Sequence, residues 1–402
     1  MATLHFTPVY KEDEVFSIAG KALKLTTKED IQPHLDALAK LSQCTKIDLS
    51  GNTIGTEASK ALAEFIESTD SVRNNVQEIN FADLYTSRLV DEVVDSLKDL
   101  LPALLKCEKL VILNLSDNAF GLRTIDYLEH YISNAVHLKH LILSNNGMGP
   151  FAGERIGKAL FYLAGNKTKC KETPLETFIC GRNRLENGSA LYLALGLKSH
   201  GDGLKVVKLY QNGIRPKGVS TLIHYGLRYN TKLEIIDLQD NTFTTSASLV
   251  LAKNLPIWKS TLTELNLNDC LLKGPGSDAV MQVFEKEKFE KLMTLKFEYN
   301  EMEQKTLENV FLPAIEDEKF PNLKHLEING NRFEEDSDPV NALLDHFDDL
   351  ELDDLEEPDS DEEEEEEEEE EKMEEIETET LEKELLELQI DDLANDLAKT
   401  SI

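Results

Sequence analysis

The chain has 402 residues, of which 77 are acidic and 42 are basic, and its formal net charge is −35. Residues 345–402 contain 30 of the acids and 3 of the bases, a net charge of −27, which leaves −8 for residues 1–344. A body and a tail that are both acidic argue against binding to nucleic acid or docking on anionic membrane, because lipid and nucleic-acid phosphates need clustered Lys and Arg.

The sequence lacks the common motifs of secretion, membrane insertion and catalysis. No basic segment followed by an apolar run opens the chain, and no apolar stretch approaches about 18 residues, so neither a signal peptide nor a transmembrane helix is expected. Five scattered cysteines without CxxC spacing fit a reducing compartment, and neither a disulfide framework nor a zinc site. Since no Walker A loop, HExxH or GxSxG motif occurs, we expect no cofactor, no metal and no enzymatic chemistry of the protein's own.

An internal repeat organises the chain. Its unit is apolar-x-apolar-x-x-Asn, and successive units are 24 to 37 residues apart, with six of the ten steps between 28 and 31. Leu84 and Cys270 replace the asparagine in two units, and Leu23–Lys28 is a degenerate first copy. The residues in the asparagine place are Lys28, Asn52, Leu84, Asn118, Asn146, Asn183, Asn212, Asn241, Cys270, Asn300 and Asn331. This near-constant step over about eleven units is the signature of a leucine-rich repeat.

The repeat predicts an α/β fold for residues 1–344. Alternating apolar residues form a short strand with one buried face, and the asparagine bonds backbone groups of neighbouring coils where the chain leaves the strand. Because no unit buries its apolar face alone, we expect a ribonuclease-inhibitor-like crescent, with parallel strands inside and helices outside. The longest step, 37 residues, predicts a surface loop at Asn166–Pro174. Helical spacing after one strand is shown by Ala58, Ala61, Leu62, Phe65 and Ile66.

Residues 345–402 are predicted to form an acidic, largely disordered tail. Asp361 is followed by the unbroken run Glu362–Glu371, and such a block repels itself and cannot pack. The preceding segment, Leu350–Pro358, is predicted to be a linker. Beyond the run, a leucine spacing is similar to that of a nuclear export signal, with a short amphipathic helix as the alternative. Its residues are Leu381, Leu385, Leu388 and Ile390.

Cations follow five consecutive repeats, in the predicted loops between strand and helix. In a solenoid, residues at similar offsets after each strand line one edge. These side chains therefore form either a positive strip for an acidic partner surface or solvated loop charges paired with Asp117, Glu154 and Glu186. The cations are Arg88, Arg123, Arg155, Arg182, Arg184, Arg215 and Lys217.

Seven segments near the predicted strand ends have sequences that generic leucine-rich repeats do not share. They are Ser50–Ala58, Phe81–Arg88, Leu115–Gly121, Asn145–Pro150, Ile179–Ser189, Gln211–Pro216 and Leu238–Thr244. Through these segments the whole chain closely resembles the Ran GTPase-activating proteins of the fungal type.

The resemblance implies binding to the small GTPase Ran in its GTP state, with a Ran-binding protein as an optional third component, and stimulation of GTP hydrolysis. The family uses no classical arginine finger in the nucleotide site; Ran's own glutamine is held so that it orients the attacking water. The required arginine maps onto Arg88. The asparagine that fixes the glutamine maps onto Asn145 or Asn146, of which Asn146 also has a structural place in the repeat. Partner contacts map onto Asp83, Thr86, Asn118, Arg123, Arg182, Arg184, Arg215 and Lys217.

The resemblance also implies a cytoplasmic protein that supports nucleocytoplasmic transport, and a crescent capped at both ends should be a monomer. The alternative function is an acidic leucine-rich interaction protein or chaperone for basic proteins, which the glutamate run favours. The repeat length favours the activator, since such chaperones use repeats of roughly 24 residues. An inhibitor of the ribonuclease-inhibitor type would be far richer in cysteine.

Overall fold

The computed structural model of the chain describes residues 4–347, 350–355 and 377–388. The chain divides into two compact units, Met1–Arg184 and Leu185–Ile402. In each unit short parallel strands alternate with helices, as the repeat predicts. Within the described ranges, no helix is long and apolar enough to cross a membrane.

Six strands of the first unit pair in parallel and in chain order. The register places Phe16 opposite Ile47, and Ile47 opposite Ile79. The strands are Val15–Ser17, Lys46–Asp48, Glu78–Asn80, Ile112–Asn114, His140–Ile142 and Thr177–Ile179. A second, smaller parallel sheet consists of two two-residue strands, Lys24–Leu25 and Thr53–Ile54.

Helices of the first unit bury one apolar face, as shown by Leu62 and Ile66, which are at most 1% exposed. The first helix begins with a capping box, in which Asp30 Oδ2 accepts from Thr27 N (2.8 Å) and Thr27 Oγ1 accepts from Asp30 N (3.3 Å). The helices are Lys28–Leu38, Thr56–Ser68, Asp70–Arg73, Val90–Leu105, Ile125–Asn134 and Gly149–Cys170, preceded by a 3₁₀ turn at Glu12–Glu14.

The second unit repeats this pattern. Its parallel strands are Val206–Lys208, Ile235–Asp237, Glu264–Asn266, Thr294–Lys296 and His325–Glu327. Its α-helices are Glu186–Ser199, Pro216–Tyr225, Thr244–Asn254, Lys273–Lys286, Gln304–Thr306, Leu312–Glu316 and Asp338–His346. A π-helical turn spans Leu307–Phe311, and 3₁₀ turns span Gly201–Gly203, Leu227–Tyr229 and Leu255–Trp258.

The repeat asparagine closes the buried turn after most of the strands. Asn146 is fully buried, and its Nδ2 donates to Leu115 O (3.0 Å) and Leu143 O (2.9 Å). Its Oδ1 accepts from Asn118 N at 2.9 Å. One amide thus satisfies backbone groups of two successive repeats, which confirms the predicted role. Cys270 fills the place in its own repeat by donating its thiol to Leu238 O at 3.3 Å. The same bonding recurs at Asn52, Asn118, Asn183, Asn241, Asn300 and Asn331.

The first repeat lies earlier in the chain than predicted. Its strand is Val15–Ser17, which pairs with Lys46–Asp48, whereas Leu25 of the predicted copy pairs with Ile54 in the small second sheet. Both segments alternate apolar and polar residues, and neither has an asparagine in the ladder place. Pairing with the next strand determines which of the two segments forms the first strand of the large sheet, and this pairing cannot be read from the local sequence.

The predicted loop at Asn166–Pro174 is also wrong, because the helix Gly149–Cys170 continues through most of it. Lys167 is 1% exposed, and its ammonium donates to the carbonyls of Val136, Leu138 and Thr173 at 2.6–3.0 Å. Burying this charge is tolerable because each of its three donors has an acceptor. The extra residues of the longest step therefore lengthen a helix.

The tail begins with residues that belong to the last repeat. The boundary predicted after residue 344 falls inside the helix Asp338–His346. Asp354 N donates to Asn329 Oδ1 (3.1 Å), and Asp354 Oδ2 accepts from Tyr299 Oη (2.9 Å), so residues 350–355 of the predicted linker cover the last turn. The acidic run Asp361–Glu371, the end of the linker and Ile390 of the leucine motif lie outside the described residues.

Asp237 is a buried carboxyl in the second unit, and its effect on stability should depend on pH. Its side chain lies on a strand at 7% exposure, and burial raises the pKa of the carboxyl to about 6, although Lys208 acts to lower it. The folded pKa exceeds the unfolded one, so the stability that the carboxyl contributes is full below about pH 4 and is lost as pH rises past 6. We expect Asp237→Asn to stabilise the protein by about 1–3 kcal/mol at pH 8 and by less at pH 5.

Urea unfolding of wild type and variant at the two pH values measures this difference. Asp240→Asn is the matched control, because Asp240 is exposed in the same repeat. Equal effects of the two substitutions at both pH values would contradict a buried, proton-retaining Asp237.

Candidate functional site

The residue before each ladder position adopts the left-handed backbone conformation. In the first unit these residues, here called the left-handed row, are Gly20, Gly51, Asp83, Asp117, Asn145 and Arg182, with φ between 49° and 69°. Gly20 belongs to the row because Ser17 pairs with Asp48, which places Lys21 in the ladder position of the observed first repeat. The amides of the row bond the next repeat: Asp83 N donates to Ser116 O (3.0 Å) and Asn145 N donates to Gly181 O (2.9 Å). Asn, Asp and Gly tolerate this conformation best. The row therefore places side chains at the same position of successive repeats.

Asn145 and Asn146 face opposite environments. Asn146 is fully buried, and both ends of its amide are used by the ladder. Asn145 lies on the left-handed row with an exposed side chain. Of the two candidates that the sequence left open, only Asn145 is accessible to another molecule.

The orientation of the Asn145 amide follows from its neighbour on the row. Its Nδ2 lies 2.7 Å from Asp117 Oδ1. A carboxylate accepts but does not donate, so the NH₂ group must face Asp117. Asn145 Oδ1 accepts no hydrogen bond from the described residues and is presented as a free acceptor.

The loop between the strand Glu78–Asn80 and the helix Val90–Leu105 is anchored by a buried tyrosine. Tyr85 is 5% exposed, its hydroxyl bonds Ser96 Oγ at 2.7 Å, and burial raises its pKa. At the exposed tip, Thr86 Oγ1 donates to Asp83 Oδ1. These bonds fix the middle of the loop that carries Arg88.

Arg88 is held by the two preceding repeats. Its Nε donates to Thr53 Oγ1 (2.9 Å) and its Nη2 donates to Thr26 Oγ1 (2.9 Å). Its Nη1 lies 3.4 Å from Glu92 Oε1, and the side chain is only 10% exposed. The guanidinium thus has a fixed position before any partner arrives, with neutral hydroxyls as its short contacts.

The backbone of Gly55 passes close to the Arg88 guanidinium. A Cβ added to Gly55 would lie 3.1 Å from Arg88 Nη1 and 2.8 Å from Thr26 O, so this position needs a glycine. Glu92 makes a second contact besides the one with Arg88. Its Oε2 accepts a hydrogen bond from Leu89 N (3.0 Å), which caps the start of the helix Val90–Leu105. Asp30 has a lowered pKa, chiefly because the amides of Thr27 and Thr26 donate to it, and Arg88 adds to this effect.

The predicted positive strip is only partly present. Arg123 pairs with Asp91, and Arg155 pairs with Glu129 and Asp126, which are not the acids predicted as their partners. Arg182 and Arg184 are exposed at positive φ, and no ion pair with a described residue is found for either. Asn118 is a buried ladder residue at 4% exposure, so its side chain does not reach a partner.

Two predicted contact residues belong to the second unit. Arg215 and Lys217 are exposed at the start of the helix Pro216–Tyr225. The amide of Arg215 donates to Asn187 Oδ1 at 2.9 Å, which fixes the entry into that helix.

The residues that position Arg88 are not recognisable as such in the sequence. Thr53 and Gly55 lie in the segment Ser50–Ala58 that carries the family resemblance, but neither they nor Thr26 have a spacing that points to Arg88. Only the repeat register brings them together. Glu92 had a signal, the i,i+4 spacing from Arg88. Asp117 was considered as a partner of loop cations, whereas the structure shows it bonded to Asn145. In the described part of the chain, no group of three His, Cys, Asp or Glu residues is arranged to hold a metal ion.

Comparison with known proteins identifies relatives of one kind. The chain is 70% identical over 352 residues to Ran GTPase-activating protein 1 of Saccharomyces cerevisiae, covering 88% of this chain and 86% of that protein. It is 38% identical over 213 residues to Ran GTPase-activating protein 2 of Caenorhabditis elegans, covering 51% and 21%. It is 32% identical over 242 residues to the Ran GTPase-activating protein of Drosophila melanogaster, covering 58% and 40%. No family model matches the chain.

Solved structures give more distant likenesses. The yeast Rad7 and Elc1 complex matches at 15% identity and a TM-score of 0.42, over 74% of this chain and 73% of that one. The leucine-rich repeat-containing protein LegL7 from Legionella pneumophila matches at 16% identity and a TM-score of 0.35, over 83% and 99%. Since neither TM-score reaches 0.5, the fold assignment rests on the strand pairing and the asparagine ladder.

The two neighbouring asparagines should differ sharply in stability. We expect Asn146→Gly to cost about 2–4 kcal/mol, because buried groups of Leu115, Leu143 and Asn118 lose their partners. Asn145→Gly should change stability by under about 0.5 kcal/mol, because glycine suits its positive φ and one exposed hydrogen bond is lost. Denaturant unfolding of both variants measures the contrast. A costly Asn145→Gly together with a neutral Asn146→Gly would refute the assignment of exposed and buried roles.

Proposed function

We propose that this protein stimulates GTP hydrolysis by Ran through the loops of its first unit, because the chain belongs to the family of Ran GTPase-activating proteins. Family membership rests on 70% identity over 88% of the chain. Phosphoryl transfer depends on positioning and on stabilising charge rather than on covalent chemistry of the protein. A partner that holds Ran's own catalytic groups therefore suffices, and the activator needs no nucleophile of its own.

The observation that carries the mechanism is the fixed position of Arg88. An arginine finger has to extend into the nucleotide site of its partner. The Arg88 guanidinium is instead retained among Thr26, Thr53 and Glu92, with 10% of the side chain exposed. This supports a role at the contact surface, where an immobile cation binds and orders a segment of Ran without rearranging.

Asn145 supplies the second element of the mechanism. Its Oδ1 is a free acceptor, because Asp117 binds the NH₂ group of the same amide. The amide NH₂ of a Ran glutamine can donate a hydrogen bond to this oxygen. The carbonyl of the same glutamine is then left to accept a hydrogen bond from the attacking water. The bonding pattern supports Asn145, rather than Asn146, as the residue that orients the glutamine.

Exposed polar groups around these two residues complete the contact surface that we propose. Asp83 and Thr86 lie at the tip of the Arg88 loop, and Arg182 lies on the left-handed row with Asn145. Arg123 is exposed but neutralised by Asp91, so it contributes shape and hydrogen bonding more than charge. We also propose Arg184, Arg215 and Lys217 as contacts, because they are exposed cations that follow consecutive repeats.

The state of the partner and the setting are also proposals. We propose that the GTP form of Ran is bound, with or without a Ran-binding protein, by a monomer that acts in the cytoplasm and supports nucleocytoplasmic transport. The resemblance of the inter-repeat segments supports these points. The alternative of a chaperone for basic proteins depends on the glutamate run, which lies outside the described residues.

Single-turnover release of γ-phosphate from Ran-GTP tests the mechanism. We expect sub-stoichiometric wild-type protein to accelerate release strongly, as activators of related GTPases do by about 10⁵-fold. Arg88→Ala should lower the acceleration by about 100-fold or more, because the ordered cation is lost. Arg73→Ala is the matched control. Arg73 pairs with Asp70 within the helix Asp70–Arg73, whereas Arg88 lies in the loop before the helix Val90–Leu105. Equal rates for Arg88→Ala and Arg73→Ala would rule out the proposed role of Arg88.

Steady-state kinetics of Asn145→Gly test the orientation of the glutamine. We expect kcat to fall by about tenfold to 100-fold while KM for Ran-GTP changes little, because the lost bond acts on positioning more than on binding. Asn145→Gly is expected to leave the fold intact, so the loss is not one of stability. A rise in KM at constant kcat would show that Asn145 only contributes to docking.

A further inference from the structure

The second unit covers a short segment of the acidic tail. Residues 378–388 are helical. Leu385 in this segment is only 2% exposed, whereas Leu386 and Leu388 are 47% and 54% exposed. A helix of about three turns has too few side chains to bury one of its own leucines. Leu385 is therefore covered by residues outside its own helix.

An ion pair fixes the same segment. Glu382 Oε1 lies 2.7 Å from Lys198 Nζ, and Lys198 is in the last turn of the helix Glu186–Ser199. Lys198 Nζ also lies 4.7 Å from the centre of the Tyr229 ring. The Arg228 guanidinium carbon lies 4.9 Å from that centre, and Arg228 Nη2 donates to Tyr229 Oη at 3.2 Å. We call Lys198, Arg228 and Tyr229 the basic–aromatic patch.

We propose that the basic–aromatic patch is a docking site for the chain's own residues 377–388, and that docking withholds Leu385 from any partner that binds the leucine motif. The charges are complementary, since residues 377–388 contain five glutamates and one lysine. The chain itself tethers the segment, with 21 residues between positions 355 and 377. A tether of this kind raises the effective concentration of the segment at the patch without any new contact.

The docked state is built to be reversible. A partly exposed ion pair contributes little by itself, and an isolated helix of this length is marginal in water. Helix formation, burial of Leu385 and the ion pair with Lys198 therefore depend on one another, and the segment opens more easily than the repeats. The leucine motif found in the sequence is consequently available only in the undocked state, since Leu385 is one of its members.

Hydrogen exchange of the full-length chain, followed by mass spectrometry on a peptide that covers residues 377–388, tests docking. We expect Leu385→Asp to speed exchange in this peptide by about tenfold or more, because the buried contact is lost. Leu386→Asp is the matched control, since it makes the same substitution at an exposed neighbour. Unchanged exchange of the strand amides verifies that each variant is folded. Equal exchange in the two variants would overturn the proposal.

Charge reversal tests the ion pair. Lys198→Glu and Glu382→Lys should each speed exchange of the segment by about two- to fivefold, and the double variant should return toward wild type. Glu387→Lys is the control for the change in net charge, because Glu387 is exposed on the same segment. Additive effects of the two reversals, without rescue, would contradict a direct contact between Lys198 and Glu382.

A labelled synthetic peptide with the sequence of residues 374–391 tests whether the patch is occupied in cis. We expect the peptide to bind full-length Leu385→Asp, whose own segment is released, and not wild type or Leu386→Asp. Adding Lys198→Glu to Leu385→Asp should weaken the binding by about two- to fivefold, since the ion pair contributes little by itself. Equal binding to wild type and Leu385→Asp would show that the tail does not occupy the patch, and no binding to any variant would refute the docking site.

Discussion

Each ladder asparagine has to satisfy backbone groups of two successive repeats at once, because the strands are only three residues long and the turns behind them are buried. In the first unit, Asn146 binds the carbonyls of Leu115 and Leu143 and the amide of Asn118 with one side chain. Unpaired groups at these places would each destabilise the fold. Strand length, helix placement and stacking of neighbours all depend on this bond set.

The ladder also determines what is presented on the surface. To turn the asparagine inward, the preceding residue takes a left-handed conformation and its side chain is displayed at the turn. Asn145 is accessible for the same reason that Asn146 is not. Asp117, from the repeat before, then orients the Asn145 amide. A structural requirement in the interior thus produces an ordered row of polar groups outside.

Much of the fold could be predicted from the sequence, because the ladder and the strands have a fixed local spacing. The first repeat could not, since Phe16 and Leu25 lie in similar patterns and only pairing with the next strand separates them. The helical course of residues 166–170 depends on distant carbonyls that accept from Lys167. Such acceptors lie some 30 residues away and leave no local signal.

The site shows the same limit. Arg88 was named through family resemblance, and its i,i+4 relation to Glu92 is local. Thr26 and Thr53, which hold its guanidinium, lie 62 and 35 residues away in the sequence. Asn145 and Asn146 are both asparagines at a turn, and only the backbone conformation shows which of the two side chains is exposed. Residue type and spacing therefore located the site, and stacking of the repeats determined its geometry.

The burial of Asn146 has a chemical consequence, because a glycine follows it. In a flexible chain an Asn-Gly pair deamidates readily: the glycine amide nitrogen attacks the side-chain carbonyl and ammonia leaves, which gives a cyclic succinimide. Water then opens the ring to aspartate or isoaspartate. In the folded unit that carbonyl accepts from Asn118 N, and the NH₂ group donates to Leu115 O and Leu143 O, so hydrogen bonds fix both ends of the amide. Folding thus protects the residue on which folding depends. If this turn opened locally for long enough, the reaction would replace the Asn146 amide irreversibly with a carboxylate in the ladder.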